Sequence, residues 1–168
     1  MVAFGVYLKN LQNTAMENTY NLLFIHYRFD PVALLIRLYS HSYYNHVAWI
    51  LNKHLIIEST RYGIKINSIN KYNNRFLFIT KKMKISLSET DKFEINNYLT
   101  NQIKHINYFD RFMSFLCVII RKHYKRNTPT CSNFIATACS KVGICFDYAK
   151  DDEFITPGDI YQFCLKND

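Results

Sequence analysis

Proline and glycine are scarce, three and four in 168 residues, which leaves no composition for a flexible linker or a disordered tail. There is no charge block, low-complexity tract or internal repeat, so a repeat architecture is excluded. No stretch approaches the roughly 18 consecutive apolar residues of a membrane span. The longest, Phe115 to Ile120, stops at Arg121 and Lys122. The opening "MVAFGVYLKNLQN" has neither the basic start nor the long apolar run of a secretory signal. Neither a CxxC pair nor a Cys/His metal spacing occurs, and no cofactor is implied. Five cysteines, odd in number and without framework spacing, suit free thiols in a reducing compartment, and a cytoplasmic location is the expectation.

What remains is ordinary globular composition, 49% hydrophobic and 20% charged, enough for a core and sized for a single domain over 1–168. Residues 1–20 show no clean period and read as an N-terminal extension. The formal charge of +8 has a plain reading in solubility and lysine-rich coding, and a sharper one in an anionic partner. Lys81, Lys82 and Lys84 form one cluster; Arg121, Lys122, Lys125 and Arg126 form another at a helix end, where cations complement the dipole in any case. Nucleic acid is not the expected partner.

Along the chain, Leu22 to Tyr27 reads as a short buried strand, and Asp30-Pro31 as the cap and first residue of a helix through Leu38. Tyr43 to Leu51 and Leu55 to Ser59 are β-rich runs around a turn at Asn52, Lys53 and His54. After Gly63 the alternation in "IKINSI" predicts a half-buried strand, and Phe76 to Thr80 another. Ser88 with Asp91 opens a helix to about Ile106, and a second runs from about Asp110 to Lys125. Pro129 and Thr130 lead into a helix starting at Cys131 and closed by Gly143; Thr156, Pro157 and Asp159 start a last one. The sum is α+β, a small antiparallel sheet packed by helices.

His46 opens a strand and Cys131 opens a helix. A helix N-terminus stabilises negative charge on a sulfur placed there, because its first amides are unpartnered and point at it. Thiolate chemistry also needs a base to hold the proton. If the turn from Asn52 to His54 has an odd count, His46 and Glu58 share a face of the hairpin as direct or diagonal neighbours, and Glu58 orients the imidazole toward Cys131. An even count puts them on opposite faces. Each residue also has a plain role: a buried thiol, a structural histidine, a solvent-facing glutamate. Cys117 and Cys139 fall inside apolar helical patterns and read as core; His41 and His54 read as loop residues.

The run from "LLFIHYRFDPVALLIRLYSHSYYNHVAWILNKHLIIESTRYGIKINSI", with Asn45-His46, the apolar strand Val47 to Leu51, "IIES" and Gly63-Ile64, is followed by "CSNFIATACSKVGI" and "ITPGDIY". In this order it resembles the circularly permuted papain-like hydrolases, the YiiX-like branch of the NlpC-type superfamily, which has poxvirus members. The likeness covers about Asn21 to Phe163. It implies a permuted papain-like fold, a small sheet or half-barrel packed by helices, with residues 80–127 as a variable helical insert that shapes specificity. It implies Cys131 as nucleophile, His46 as general base and Glu58 as orienting acid. Asn45 and the backbone amide of Cys131 or Ser132 are the candidates beside them for substrate or oxyanion contact. The implied activity is thiol hydrolysis of an amide, isopeptide or (thio)ester in a peptide-like or acyl substrate of anionic character. The alternatives are acyl transfer on the same fold and a silent binding module for an acidic partner.

Overall fold

The computed structural model describes residues 20–40, 42–60, 62–103, 129–146 and 155–167. The first strand, β1 (Leu22–Tyr27), is almost wholly apolar, and the fold explains why: it is flanked on both edges and covered on both faces. β2 (His46–Ile50), β3 (Leu55–Thr60), β4 (Gly63–Ser68) and β5 (Phe78–Met83) complete a five-stranded sheet in the order β4-β3-β2-β1-β5, antiparallel throughout. Between β2 and β3 the Leu51 amide donates to the Leu55 carbonyl, which leaves the odd turn Asn52–His54. Asn52 Oδ1 closes it by accepting from the amides of His54 and Leu55. Gly63, at φ 113°, allows the tight reversal between β3 and β4 that pairs it with Thr60.

Strand alternation sorts the two faces. Leu22, Phe24, Val47, Trp49, Ile57 and Ile64 point to the larger core. That core is shared with α2 (Glu89–Asn101), α3 (Cys131–Ser140) and α4 (Pro157–Lys166), which contribute Ile95, Leu99, Phe134, Ile135, Ala138 and Ile160. On the opposite face, Leu23, Ile25, Ala48, Ile50 and Ile56 form a smaller core with Tyr72, from the 3-10 turn Ile69–Tyr72 that follows β4. The remaining helix, α1 (Pro31–Ser40), is capped by Asp30, whose Oδ1 accepts from the Val32 and Ala33 amides. Ser88 with Asp91 and Thr156 with Asp159 form full capping boxes on α2 and α4. No helix among the described residues is long and apolar enough to cross a membrane.

Several boundaries differ from the sequence reading. β2 begins at His46, since the Ser42 hydroxyl turns the chain at Tyr44. β5 runs Phe78–Met83, not Phe76–Thr80: a turn at Asn74, whose carbonyl accepts from Leu77 and Phe78, keeps Phe76 out of the sheet. Residues 80–83 are therefore strand, and helix starts only at Glu89. Lys81 and Lys82 lie on this edge strand, where charge discourages pairing with another chain. α2 ends at Asn101 and α3 at Ser140, with Gly143 (φ 78°) in the turn after it. The extension at 1–19, His41, the helix expected over 110–125, Cys117 and the Arg121–Arg126 cluster lie outside the described residues.

Gly158 sits where α4 meets the turn leading into β2: a Cβ there would lie 2.6 Å from the Ser42 Cβ and 2.8 Å from its Oγ. Gly158→Ala is expected to lower stability by about 1–3 kcal/mol through this overpacking. Urea unfolding at unchanged m checks it, and an unchanged midpoint refutes the close approach.

Candidate active site

The ladder between β2 and β3 joins Trp49 to Ile57 and Ile50 to Ile56 and goes no further toward His46. This opening brings a helix from the larger core to a histidine on the other face. α3 packs on both strands, and the Ser59 hydroxyl donates to the Pro129 carbonyl at 2.7 Å just ahead of it. The Val47 amide donates to the Cys131 sulfur, joined by the Ser132 amide of the first helical turn. Thr130 caps α3 by accepting from the Asn133 amide.

Extending the register sets Glu58 across from Ala48, so His46 and Glu58 are diagonal neighbours on one face. His46 Nε2 donates to Glu58 Oε2 at 2.6 Å, leaving Nδ1 to meet the Cys131 thiol, with which His46 is hydrogen-bonded. The structure thus brings Cys131, His46 and Glu58 together.

Glu58 has 0% exposure, so its charge must be matched from within the protein. Its Oε2 also accepts from the Tyr72 hydroxyl at 2.7 Å, and its Oε1 accepts from Asn67 Nδ2 at 2.8 Å and Lys71 Nζ at 3.0 Å. Tyr72 is hydrogen-bonded in turn to the Tyr27 hydroxyl at 2.9 Å, and the Tyr27 ring stands edge-on to His46. None of Tyr27, Asn67, Lys71 and Tyr72 is assigned a place in the site by the sequence reading. One signal was present for Asn67: the alternate polar positions Lys65 and Asn67 of "IKINSI" fall on the Glu58 face. Lys71 and Tyr72 come from a four-residue turn, too short to show a period.

The candidates beside the triad separate. Asn45 Oδ1 accepts from the Tyr27 amide and its Nδ2 reaches the Tyr27 carbonyl, so this side chain binds the end of β1. The Ser132 side chain is turned into the core, donating to the Ile155 carbonyl, while its amide serves the sulfur. Cys139 and Cys164 are buried in the larger core, and burial pushes the Cys139 thiol up to about 12. Cys145 and His54 are exposed. Among the described residues no three His, Cys, Asp or Glu gather as a metal site.

No family model matches the sequence, and no curated protein matches it.

Burial alone would raise the Cys131 pKa; the His46 charge, its hydrogen bond and the Val47 and Ser132 amides outweigh burial and leave the thiol below its ordinary value. Burial alone would lower His46; the Cys131 sulfur and Glu58 outweigh it and hold the ring well above 6.5. Burial would raise Glu58, but its bond to His46, the imidazolium charge, Tyr72 and Lys71 keep the carboxyl well below its usual range. Both shifts favour the thiolate–imidazolium form of the pair.

The pH dependence follows. His46, raised, contributes stability complete below 6.5 and lost as pH rises through its folded value. Cys131, lowered, contributes stability complete above 9.0 and lost as pH falls through its folded value. Between these two ordinary values the slopes oppose each other, because folding shifts a proton from sulfur toward the ring. An ordinary thiol of pKa 9.0 loses about 100-fold in thiolate from pH 8 to pH 6. Cys131, whose thiol lies below its ordinary value, is expected to lose far less than that in its iodoacetamide rate over the same range, and to react ahead of the other thiols. Peptide mapping of the alkylated protein reads this directly; a 100-fold fall removes the ion pair. Tyr72→Phe deletes one hydrogen bond to a buried charge and is expected to cost about 1.5–3 kcal/mol in urea unfolding. A change under about 0.5 kcal/mol would show that Glu58 does not depend on it.

Proposed function

We propose that this chain is a cysteine hydrolase of the permuted papain-like kind, cleaving an amide, isopeptide or (thio)ester bond through an acyl-enzyme on Cys131. The observation that carries the reading is His46 held between the Cys131 sulfur and the fully buried Glu58. The permuted order has its support in the chain itself: base and orienting acid lie on adjacent β2 and β3, ahead of the thiol helix that packs on both.

The Cys131 thiolate attacks the acyl carbon, and its electron pair forms the C–S bond while the carbonyl π pair moves to oxygen. The N-terminal amides of α3, which begins at Cys131, are the donors available to stabilise that charge. Collapse of the adduct breaks the bond to the leaving group, which takes the proton from His46 Nδ1. Neutral His46 then accepts a proton from water as the water attacks the thioester, and the thiolate leaves with the imidazolium restored. Glu58 stays ionised throughout, fixing the ring by its bond to Nε2 and stabilising the positive charge.

The reading is tested with an activated ester, p-nitrophenyl acetate, and intact mass. Wild type is expected to show a burst of p-nitrophenol and one acetyl group, mapped to Cys131; Cys131→Ala shows neither. His46→Gln is expected to slow acylation by about 10²-fold or more. Acetylation spread over lysines, or a burst that survives in Cys131→Ala, would overturn the proposal.

A further inference from the structure

The outer side of α1 is the opposite of what a surface helix presents. At 100° per residue, Leu34, Leu38, Leu35 and Val32 fill one continuous arc, and they are 47%, 64%, 46% and 40% exposed. The inward side carries small Ala33, half-buried Ile36 and polar Arg37. His26 fixes that orientation: its Nδ1–H donates to the Tyr43 carbonyl, so its Nε2 accepts from Arg37 at 2.9 Å.

Two further exposed apolar rings accompany the start of α1, where Phe29 immediately precedes the Asp30 cap. Phe29 and Phe76 are 65% and 69% exposed, with ring centroids 5.1 Å apart, and the Arg28 amide ties the two segments by donating to the Leu77 carbonyl. Each phenylalanine follows an exposed arginine, Arg28 and Arg75. The nearby carboxylate, Asp30, is occupied in capping α1. From residue 20 to residue 87 the sequence has ten Lys and Arg and two carboxylates, Asp30 and the buried Glu58. The surface thus offers hydrocarbon from α1, Phe29 and Phe76, with the exposed Arg28 and Arg75 beside the two rings.

We propose that the outer face of α1, together with Phe29 and Phe76, docks the protein on an anionic phospholipid bilayer. The leucines and phenyl rings enter the acyl boundary while Arg28 and Arg75 meet lipid phosphates. A single-stranded nucleic acid would use the rings and the arginines but leave the aliphatic arc in water, since Leu and Val have no face on which a base stacks. This docking does not depend on the thiol chemistry.

Flotation of the full chain with vesicles of phosphatidylcholine, with and without about 30% phosphatidylserine, tests it. Binding is expected to the anionic vesicles only, and to fall at least tenfold at about 0.5 M salt. Arg28→Gln with Arg75→Gln should weaken it about 25-fold, about fivefold per charge. Leu35→Gln with Leu38→Gln should remove it. These positions are exposed, and unchanged circular dichroism and iodoacetamide reactivity show that each variant is folded. The proposal is overturned by no binding at about 1 mM lipid, by equal binding to neutral vesicles, or by binding that both double variants retain. It is equally overturned if the leucine pair instead breaks a self-associated species in sedimentation, or if the arginine pair instead abolishes capture of an oligonucleotide.

Discussion

A carboxylate with no access to water sets the terms for one face of this sheet. An isolated buried charge costs several kcal/mol, and removing one partner of a buried pair typically costs about 3–5 kcal/mol. Glu58 is tolerable because His46, Tyr72, Asn67 and Lys71 converge on it from β2, β4 and the turn after β4. The small core of Leu23, Ile25, Ala48 and Ile56 excludes solvent beside it. That exclusion strengthens every bond in the cluster and makes each more costly to lose. The ring of His46 is held by this arrangement, and the state of the Cys131 sulfur by the ring.

The opening of the β2–β3 ladder is the second constraint. A fully paired hairpin would give the Val47 amide to a carbonyl and close the path from the larger core to His46. With pairing confined to two positions, the amide serves sulfur and Ser59 fixes the segment ahead of α3. A defect in regular structure is here what joins two layers.

How much of this was legible in the sequence depends on the range of each interaction. Caps at Asp30, Ser88 and Thr156 were readable because a cap is decided within four residues. The side on which Glu58 lies followed from the parity of the Asn52–His54 turn, a local count with a long-range consequence. The α+β class followed from periodicity. The cage did not, since Tyr72 and Lys71 reach Glu58 through a fold-back no local pattern encodes. Asn45 shows the converse: it stands beside His46 in sequence, but its amide group completes hydrogen bonding at the end of β1. Likewise the strand expected from Phe76 ignored Asn74, which turns the chain first.

A carboxylate has four lone-pair positions, and Glu58 has all four filled, two on each oxygen. Because Tyr72 spends its single hydroxyl hydrogen on Glu58, Tyr27 must be the donor in the bond between the two tyrosines. Every hydrogen in this line therefore points toward the carboxylate, and none of its sites is open to receive another. A proton on the His46 ring cannot drain inward through Glu58 and the tyrosines. Its exit is through Nδ1, on the sulfur side, so the chain of hydrogen bonds behind the imidazole is a closed end and proton traffic is confined to the edge of the ring that meets Cys131.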